Sequence, residues 1–455
     1  MGADERAFEV FPRVVRAGSA TRAAIRPIAG GPGLPDRTRC RITLIPLEGL
    51  GGGTVVEATV AGGGLPFTAT FPAEQEYVVN VDTLAGPTPV FLVELRMYAV
   101  ADDLFGLRPW KADLHLHSNK SDGADEPAEV AALCRQIGLD LMALTDHRLY
   151  APSLEAIAAF EGCPVDLTML PGEEVHPPDN PVHLVNVGGS ASINAMFSAE
   201  SYRREVAARA AGLPARVRVD QGVLASCLWC FERIRALGGI GVLAHPYWFT
   251  HQAWNVCEPL LAELFDRLPF DALEVIGGYY PFQADSNTLQ VARYHEERVR
   301  GRPVPIVGSS DAHGCRTGEL FGWYYTVFFA PVPTRAGLRD ALRGLRSVAV
   351  EARPGEAPRA FGPFRLVKYA HFLMSWVFPA HDALCAAEGA LMLAWLAGDR
   401  SAAARLAPLG GQAARLYDRL WGAVYESART ATEVRVTGPS IPTTSGVHDE
   451  ASNSS

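Results

Sequence analysis

Short apolar runs that end in histidine or a carboxylate recur through the middle of this chain, and they constrain its fold more than any other feature. From Lys111 onward such runs alternate with longer segments of helical period. The helical segment 126–137 precedes the apolar run 139–144, and the helical segment 222–237 precedes the apolar run 241–244. Strand, helix, strand, helix is typical of a parallel sheet or a barrel. Barrels of this type build their active sites at the C-terminal ends of the strands. The sequence therefore predicts an α/β fold with polar side chains gathered at one end.

The first of these polar ends is the run from Asp113 to Gly123. In His115-Leu116-His117 the imidazoles are two residues apart, and on a strand this spacing places both on one face. Asp122 adds a carboxylate a few residues later. Two neutral imidazoles and a carboxylate are the types of ligand that bind a divalent transition metal. This run therefore predicts part of a metal site.

Other predicted strand ends carry the same residue types, and six of the twelve histidines stand at such an end. The candidate metal ligands are His115, His117, Asp122, His147, Glu174, His183, His245, Asp311 and His313. Nine ligands exceed the need of one tetrahedral ion and fit two or three ions that share carboxylates. Mixed imidazole and carboxylate ligands without thiolate suit Zn, Mn or Fe, and they do not choose between these metals.

The same residues resemble, in order, the motifs of the polymerase and histidinol phosphatase family, usually called PHP. The motif matches are His-x-His and Ser-Asp-Gly at His115, His117 and Asp122, Thr-Asp-His at His147, Gly-x-Glu at Glu174, a next-strand His at His183, Ala-His-Pro at His245, and Gly-Ser-Asp-x-His at Asp311 and His313. The resemblance covers about residues 110 to 350. It implies a distorted (β/α)7 TIM-like barrel that binds two to three divalent metal ions.

The resemblance also implies how the ligands are shared. The first ion would be held by His115, His117, Glu174 and Asp311, the second by Glu174, His183 and His245, and the third by Asp122, His147 and His313. Glu173 is the second choice for the bridging carboxylate, because the Gly-x-Glu register selects Glu174. Members of the family often carry Asp or Asn after Thr-Asp-His, and Arg148 is a departure that favours anionic substrates.

Clustered cations lower the pKa of a bound water and neutralise charge on a phosphoryl or carbonyl oxygen. We therefore expect a metal-dependent hydrolase, foremost a phosphoesterase that cleaves a small phosphate ester, such as a nucleotide or sugar phosphate, with a metal-bridging hydroxide. Asp311 and His313 are the candidate catalytic residues, and His313 or the third ion would assist the leaving group. Lys120 and Arg148 flank ligands, so they are either phosphate clamps or ordinary surface cations.

Two other functions compete with this one. A carbamate or ester hydrolase would use the same ions, but its pocket would be mostly apolar, whereas a phosphate site needs cations that face the metals. A non-catalytic scaffold is disfavoured because all nine ligands are present. The net charge of −9 also argues against a partner such as long nucleic acid, which binds basic surfaces.

Outside the predicted barrel, the sequence pattern predicts other kinds of structure. Residues 1–108 are predicted as a small β-sandwich, 109–355 as the barrel, 361–429 as a helical C-terminal segment and 430–455 as a disordered tail.

The first residues are charged and unlike a signal peptide, and no apolar run is long enough to span a membrane. Eight scattered cysteines predict reduced thiols, so we expect a cytoplasmic protein, which can form a homo-oligomer.

Several residues near predicted strand ends allow two interpretations. Glu274 either orients a ligand or bonds to a loop, and the second interpretation is slightly favoured. Trp248, Tyr279 and Tyr280 either stack on a base or an aromatic leaving group or, more commonly, pack in the core or at its rim. The histidines that belong to no ligand pattern are His176, His251, His295, His371, His381 and His448. They are predicted to be structural or surface residues.

Overall fold

The structure is a computed structural model that describes residues 7–28, 31, 33–214, 218–250, 252–280 and 283–422. The chain begins with eight strands: β1 (Phe8–Phe11), β2 (Val14–Arg16), β3 (Ala20–Pro27), β4 (Arg39–Pro46), β5 (Thr54–Thr59), β6 (Leu65–Thr70), β7 (Gln75–Thr83) and β8 (Val90–Val100). They form a three-stranded sheet in the order β1-β3-β6 and a five-stranded sheet in the order β2-β8-β7-β4-β5. Alternate residues of these strands are buried, among them Val10, Ile25, Phe67 and Val79, and they form a core of their own.

The next part of the chain alternates strands and helices. After the short helix α1 (Asp102–Phe105) come β9 (Arg108–Asp113), α2 (Pro127–Gln136), β10 (Leu141–Ala143), α3 (Ala151–Ala158), β11 (Thr168–Leu170), β12 (Gly172–Val175), β13 (Leu184–Val187), α4 (Glu200–Ala211), α5 (Gln221–Ala236), β14 (Ile240–Leu243), β15 (Phe249–Thr250), β16 (Ala253–Trp254), α6 (Glu258–Arg267), β17 (Ala272–Gly277), α7 (Ala284–Val299), β18 (Ile306–Ser309), β19 (Tyr324–Ala330), α8 (Arg335–Arg343), β20 (Ser347–Glu351) and β21 (Arg359–Phe361). Most of the core strands are buried on both faces, as expected for a sheet covered by helices.

These strands form two sheets, in the orders β11-β10-β9-β19-β20-β21 and β12-β13-β14-β17-β18. Isolated bridges join the sheets, between Leu116 and Ala312 and between His147 and Glu174. The mixed α/β architecture agrees with the sequence, and the two sheets form part of a barrel. The regular parallel order expected from the sequence is interrupted, because β13 is antiparallel to β12 and β14, and β19 is antiparallel to β9 and β20.

Four helices follow the last strand: α9 (Phe364–Trp376), α10 (Phe378–Leu396), α11 (Ala402–Leu406) and α12 (Gln412–Leu420). Helix α10 packs on α2, and Gly389 permits the close approach, since a Cβ there would lie 2.4 Å from the backbone nitrogen of Gln136. Helix α9 packs against β7 and β8 as well as β20 and β21. The C-terminal helices therefore join the N-terminal sheets to the central α/β part.

Two sequence-based expectations fall on residues outside this description. The tail predicted to be disordered, 430–455, and the end of the predicted helical segment, 423–429, lie beyond the described residues. Among the described helices, none has the length and apolar character that crossing a membrane requires.

Candidate metal centre

All nine predicted ligands lie together at one edge of the two sheets. His115 and His117 follow β9, His147 follows β10, His245 follows β14, and Asp311 follows β18. His183 instead precedes its strand, β13. Because β13 runs antiparallel to both of its neighbours, its beginning lies beside the ends of β12 and β14. The reversed strand therefore brings His183 to the same edge as the other ligands.

The first group consists of four atoms: His115 Nε2, His117 Nε2, Glu174 Oε2 and Asp311 Oδ1. Asp311 Oδ1 lies 3.3 Å from His115 Nε2 and 2.9 Å from His117 Nε2. Glu174 Oε2 lies 3.6 Å and 3.7 Å from the same two nitrogens. Ligands held about 2.0–2.1 Å from a tetrahedral ion are about 3.3 Å apart. The spacing of this group therefore suits one ion.

The second group is built on the other oxygen of the same carboxylate. Glu174 Oε1 lies 2.8 Å from His183 Nδ1 and 3.4 Å from His245 Nε2. Asp311 Oδ2 is 3.9 Å from the same His245 nitrogen. Glu174 thus presents one oxygen to each group, which is what a bridging carboxylate requires.

The third group is the most exposed of the three. Asp122 Oδ2 lies 3.2 Å from His147 Nε2, and Asp122 Oδ1 lies 3.4 Å from His313 Nε2. The ring of His117 stacks on that of His313 with centroids 4.3 Å apart, which joins this group to the first. Asp122, His147 and His313 therefore form a pocket of ligands on the solvent side of the centre.

Buried polar atoms at the centre support the presence of cations. Within the described part of the chain, no hydrogen bond satisfies His115 Nε2, His117 Nδ1, either carboxylate oxygen of Glu174, His183 Nδ1 or His245 Nδ1. Buried polar groups are normally paired, so this concentration of exceptions needs an explanation. Among them, the oxygens of Glu174 lie 3.6 Å from His115 Nε2 and 2.8 Å from His183 Nδ1 without the alignment of a hydrogen bond, as ligand atoms around shared cations do. The donor set therefore fits two or three divalent ions.

The two adjacent glutamates have different environments. Glu173 is fully buried and accepts hydrogen bonds from Asn186, Ser192, Asn194 and the backbone nitrogen of Ile193. Glu174 faces the imidazoles instead. The alternation of side chains along β12 thus separates a structural carboxylate from a ligand, in the register that the Gly-x-Glu motif predicts.

Partners outside the ligand set fix the orientation of the imidazoles. His115 Nδ1 donates to Glu274 Oε2 at 3.0 Å, so its Nε2 lone pair points to the first group. His313 Nδ1 donates to the backbone oxygen of Asp311 at 2.8 Å, which leaves its Nε2 for the third group. The favoured interpretation of Glu274 as a loop contact was wrong, because its carboxylate orients a ligand.

The loops that carry the ligands are held by two further carboxylates. Asp146 accepts hydrogen bonds from the backbone and hydroxyl groups of Ser118 and Ser121, next to Asp122. Asp125 accepts from the backbone nitrogens of Cys315 and Arg316, next to His313. These bonds hold the two loops of the third group in place.

Strained backbone places two of the ligands. His245 and Asp311 have φ angles of 23° and 50°, values that L-residues rarely adopt. Such strain clusters at functional sites, where the surrounding structure maintains it. Gly277 permits the approach of β17 to β18, since a Cβ there would lie 1.9 Å from the backbone oxygen of Ser309.

Burial lowers the pKa of the histidines at this centre, whereas nearby carboxylates raise it, and the balance differs from one histidine to the next. Burial lowers the pKa of His183 to about 4, so the ring is neutral and offers a lone pair at neutral pH. Burial also lowers the pKa of His117. Burial opposes protonation of His115 too, but the charges of Asp311 and Glu274 prevail and raise its pKa. Burial raises the pKa of Asp311, yet the neighbouring imidazoles outweigh it and hold this carboxyl ionised.

A cavity of about 720 Å³ opens beside the second group. Its wall includes His176, His183, Arg148 and Phe197, together with three prolines of the 177–181 loop. The Arg148 guanidinium makes no hydrogen bond or ion pair with any part of the described chain. Lys120, the other predicted clamp, pairs with Glu126 at 3.0 Å and Glu155 at 3.8 Å. Arg148 is thus the cation available to a ligand in this cavity.

The predicted aromatic residues differ in accessibility. Trp248 is 36% exposed, and its ring lies 5.8 Å from His183 and 5.9 Å from His245, between centroids. Tyr279 is buried, and its hydroxyl bonds to Gln290. Tyr280 is half-buried. Tyr279 therefore packs in the core, whereas Trp248 forms part of the rim of the metal centre.

The sequence interpretation missed His176. Its Nε2 lies 3.3 Å from Glu174 Oε2 and 2.9 Å from His147 Nδ1. A signal for this placement was present: Glu174-Val175-His176 has the same two-residue spacing as His115-Leu116-His117. Of the other histidines without a motif, His381 is buried far along the chain in α10, and His251 and His448 lie outside the described residues.

Comparisons with known proteins give partial matches. No family model matches the chain. The DNA polymerase/3′-5′ exonuclease PolX of Bacillus subtilis is 34% identical over 92 residues, which are 20% of this chain and 16% of that protein. The chain thus spans about a sixth of the length of this curated relative.

Three solved structures are similar to part of the chain. A two-domain protein from Bacteroides vulgatus that contains a predicted PHP-like metal-dependent phosphoesterase is 18% identical, with a TM-score of 0.40 over 54% of this chain and 66% of that one. A Bifidobacterium adolescentis protein named as a metal-dependent phosphoesterase is 19% identical, with a TM-score of 0.33 over 51% of this chain and 95% of that one. An amidohydrolase from Chromobacterium violaceum with bound sulfate and no metal is 20% identical, with a TM-score of 0.30 over 49% of this chain and 92% of that one.

Proposed function

We propose that this protein is a metal-dependent hydrolase, and foremost a phosphoesterase that cleaves a small phosphate ester such as a nucleotide or a sugar phosphate. The observation that carries the proposal is the arrangement of the ligands around Glu174, whose two oxygens face separate groups of imidazoles. Divalent ions bound there would lower the pKa of a water molecule and neutralise charge on the substrate oxygens. Zn, Mn and Fe all suit this donor set.

The residues of the chain have separable roles in this proposal. Glu174 and Asp311 would hold the cations, and Glu274 keeps the His115 ring in one tautomer. The His313 side chain is 37% exposed, against 27% for His147, and its Nδ1 is engaged by the Asp311 backbone, so its Nε2 remains available. We place it and Asp311 beside the scissile bond, where His313 assists the departure of the leaving group.

Arg148 favours a phosphate over a neutral substrate. Its unpaired guanidinium lines the cavity together with His176 and His183, and a guanidinium binds phosphate oxygens in bidentate fashion. Lys120 would have to leave Glu126 before it could act in the same way. Arg148 is therefore the substrate clamp that we favour, and Lys120 is a secondary candidate.

A second candidate function is carbamate or ester hydrolysis by the same metal centre. The observation in its favour is the apolar part of the cavity wall, formed by Phe197 and the prolines at 177, 178 and 181. Such a wall accommodates an apolar leaving group. The unpaired cation in the same wall is the reason that we rank the phosphate ester first.

The test is a panel of chromogenic phosphomonoesters, phosphodiesters and carbamates. The protein is stripped of metal and reloaded with Mn, Zn or Fe, beside His115→Ala as a control without activity. Metal-dependent phosphate release that falls at least tenfold in kcat/KM in Arg148→Ala, and partly recovers in Arg148→Lys, would support the phosphoesterase. Cleavage of carbamates alone would establish the second candidate instead. Full metal binding without turnover of any substrate class would argue for a scaffold.

A further inference from the structure

His176 stands out among the histidines that lack a motif, because it lies inside the metal centre. It follows directly after β12, two residues beyond Glu174, so both side chains leave the strand on the same side. Its side chain is only 14% exposed. His371 on α9, by contrast, is exposed to solvent. The burial of His176 beside Glu174 therefore distinguishes it from an ordinary surface histidine.

The contacts of His176 have the dimensions of the ligand groups. Its Nε2 is 3.3 Å from Glu174 Oε2, a separation equal to that between His115 Nε2 and Asp311 Oδ1 in the first group. Ligand atoms of one tetrahedral ion are separated by about 3.3 Å. Neither oxygen of Glu174 has an aligned hydrogen bond, so the approach of the His176 ring is not explained by a hydrogen bond to this carboxylate.

The neighbours of His176 are predicted ligands of the second and third groups. The rings of His176 and His183 lie close together, with centroids 4.0 Å apart and an interplanar angle of 36°. His183 in turn contacts Glu174 Oε1. His147 also touches His176, but its Nε2 lies 3.2 Å from Asp122 and so belongs to the third group. A neutral imidazole has one lone pair, and His147 therefore serves only one ion.

We infer that His176 Nε2 is a further metal ligand of this centre, beside Glu174. The inference rests on the metal centre of the proposed function and adds a tenth ligand to the nine that the sequence motifs assign.

The test uses Co²⁺ as the only metal and needs no substrate. Stripped His176→Cys protein is loaded with Co²⁺, and its near-ultraviolet absorption is compared with that of the loaded wild type. Because a thiolate ligand gives a thiolate-to-cobalt charge-transfer band, we expect a new band in His176→Cys. His371→Cys, on the exposed face of α9, is the matched control and should give no band. Absence of the band at full cobalt content would overturn the inference.

Cobalt titrations of three further variants decide the matter even if the cysteine variant does not fold. We expect His176→Ala and His176→Gln to weaken one class of sites about tenfold or more, and His176→Asp to recover part of that affinity. If His176→Gln binds cobalt as tightly as the wild type, His176 acts only by hydrogen bonding to His147, and the assignment as a ligand is wrong. Since binding is measured without turnover, a failure of this inference is distinguishable from a failure of the phosphoesterase proposal.

Discussion

Replacement of His381 by glutamine probes a buried cluster of charges that fastens the C-terminal helices to the central sheets. His381 lies on α10 with no exposed surface, and its two ring nitrogens are each 2.9 Å from a carboxylate oxygen, of Asp140 and of Asp382. Both nitrogens therefore carry protons, and the ring is an imidazolium. The cluster then contains three cations and three carboxylates, namely Lys111, Arg135, His381, Asp140, Asp382 and Glu388.

The expected loss in the free energy of unfolding follows from the pairing of these charges. A hydrogen bond between charged groups contributes about 1.5–3 kcal/mol, and His381 makes two. Removal of one partner from a buried ion pair lowers the free energy of unfolding by about 3–5 kcal/mol, because the remaining charges stay desolvated. We therefore expect His381→Gln to destabilise the protein by about 3–5 kcal/mol below neutral pH.

The loss should depend on pH. Burial opposes protonation of His381, but Asp140 and Asp382 outweigh it and raise the pKa well above the ordinary value. A raised pKa in the folded state gives a stabilisation that is complete below about pH 6.5, the pKa of an unfolded histidine, and is lost as the pH rises through the folded value. Across that window the difference between wild type and His381→Gln should shrink by up to about 1.4 kcal/mol per pH unit.

The assay is urea unfolding between about pH 6 and pH 9, followed by tryptophan fluorescence and circular dichroism at a fixed, saturating metal concentration. His371→Gln, an exposed substitution on the neighbouring α9, is the control and should match the wild type at every pH. Parallel stability curves for wild type and His381→Gln across this range would refute the reasoning, since they would mean that His381 carries no extra proton in the folded protein.

Three further predictions concern the metal centre. Glu274→Gln should lower metal affinity about 10- to 100-fold with little change in melting temperature, because the His115 ring loses the carboxylate that orients it. Calorimetric titration with Zn²⁺ measures the affinity, and an unchanged value would contradict the role of Glu274. Gly277→Ala should reduce both metal content and melting temperature, because its Cβ would strike Ser309; an unaffected variant would show that β17 and β18 can separate without harm. Metal affinity should fall as the pH falls through the raised pKa values of His115 and His245, since protons compete for their lone pairs, and titrations at several pH values check the sign.

The motifs predicted which side chains gather at this centre, because each motif depends on local spacing. His115 and His117 share a face of an extended segment, and Glu174 is separated from Glu173 by the alternation of β12. The same rule, applied to Glu174-Val175-His176, would have selected His176. The role of Glu274 was not predictable, because its partner His115 is 159 residues away in the chain.

The sequence by itself determined the donor types, their periodicity and the strand ends at which they stand, since these depend on the order of residues along one strand or helix. Only the tertiary structure decided which of these side chains lie next to one another, because that depends on the order and direction of the strands. The reversal of β13 carries His183 to the edge where Glu174 and His245 end their strands, and no local pattern specifies that reversal. The tertiary structure also paired Lys120 with Glu126 and left Arg148 in the cavity, since contacts between distant side chains exist only after the sheets have packed.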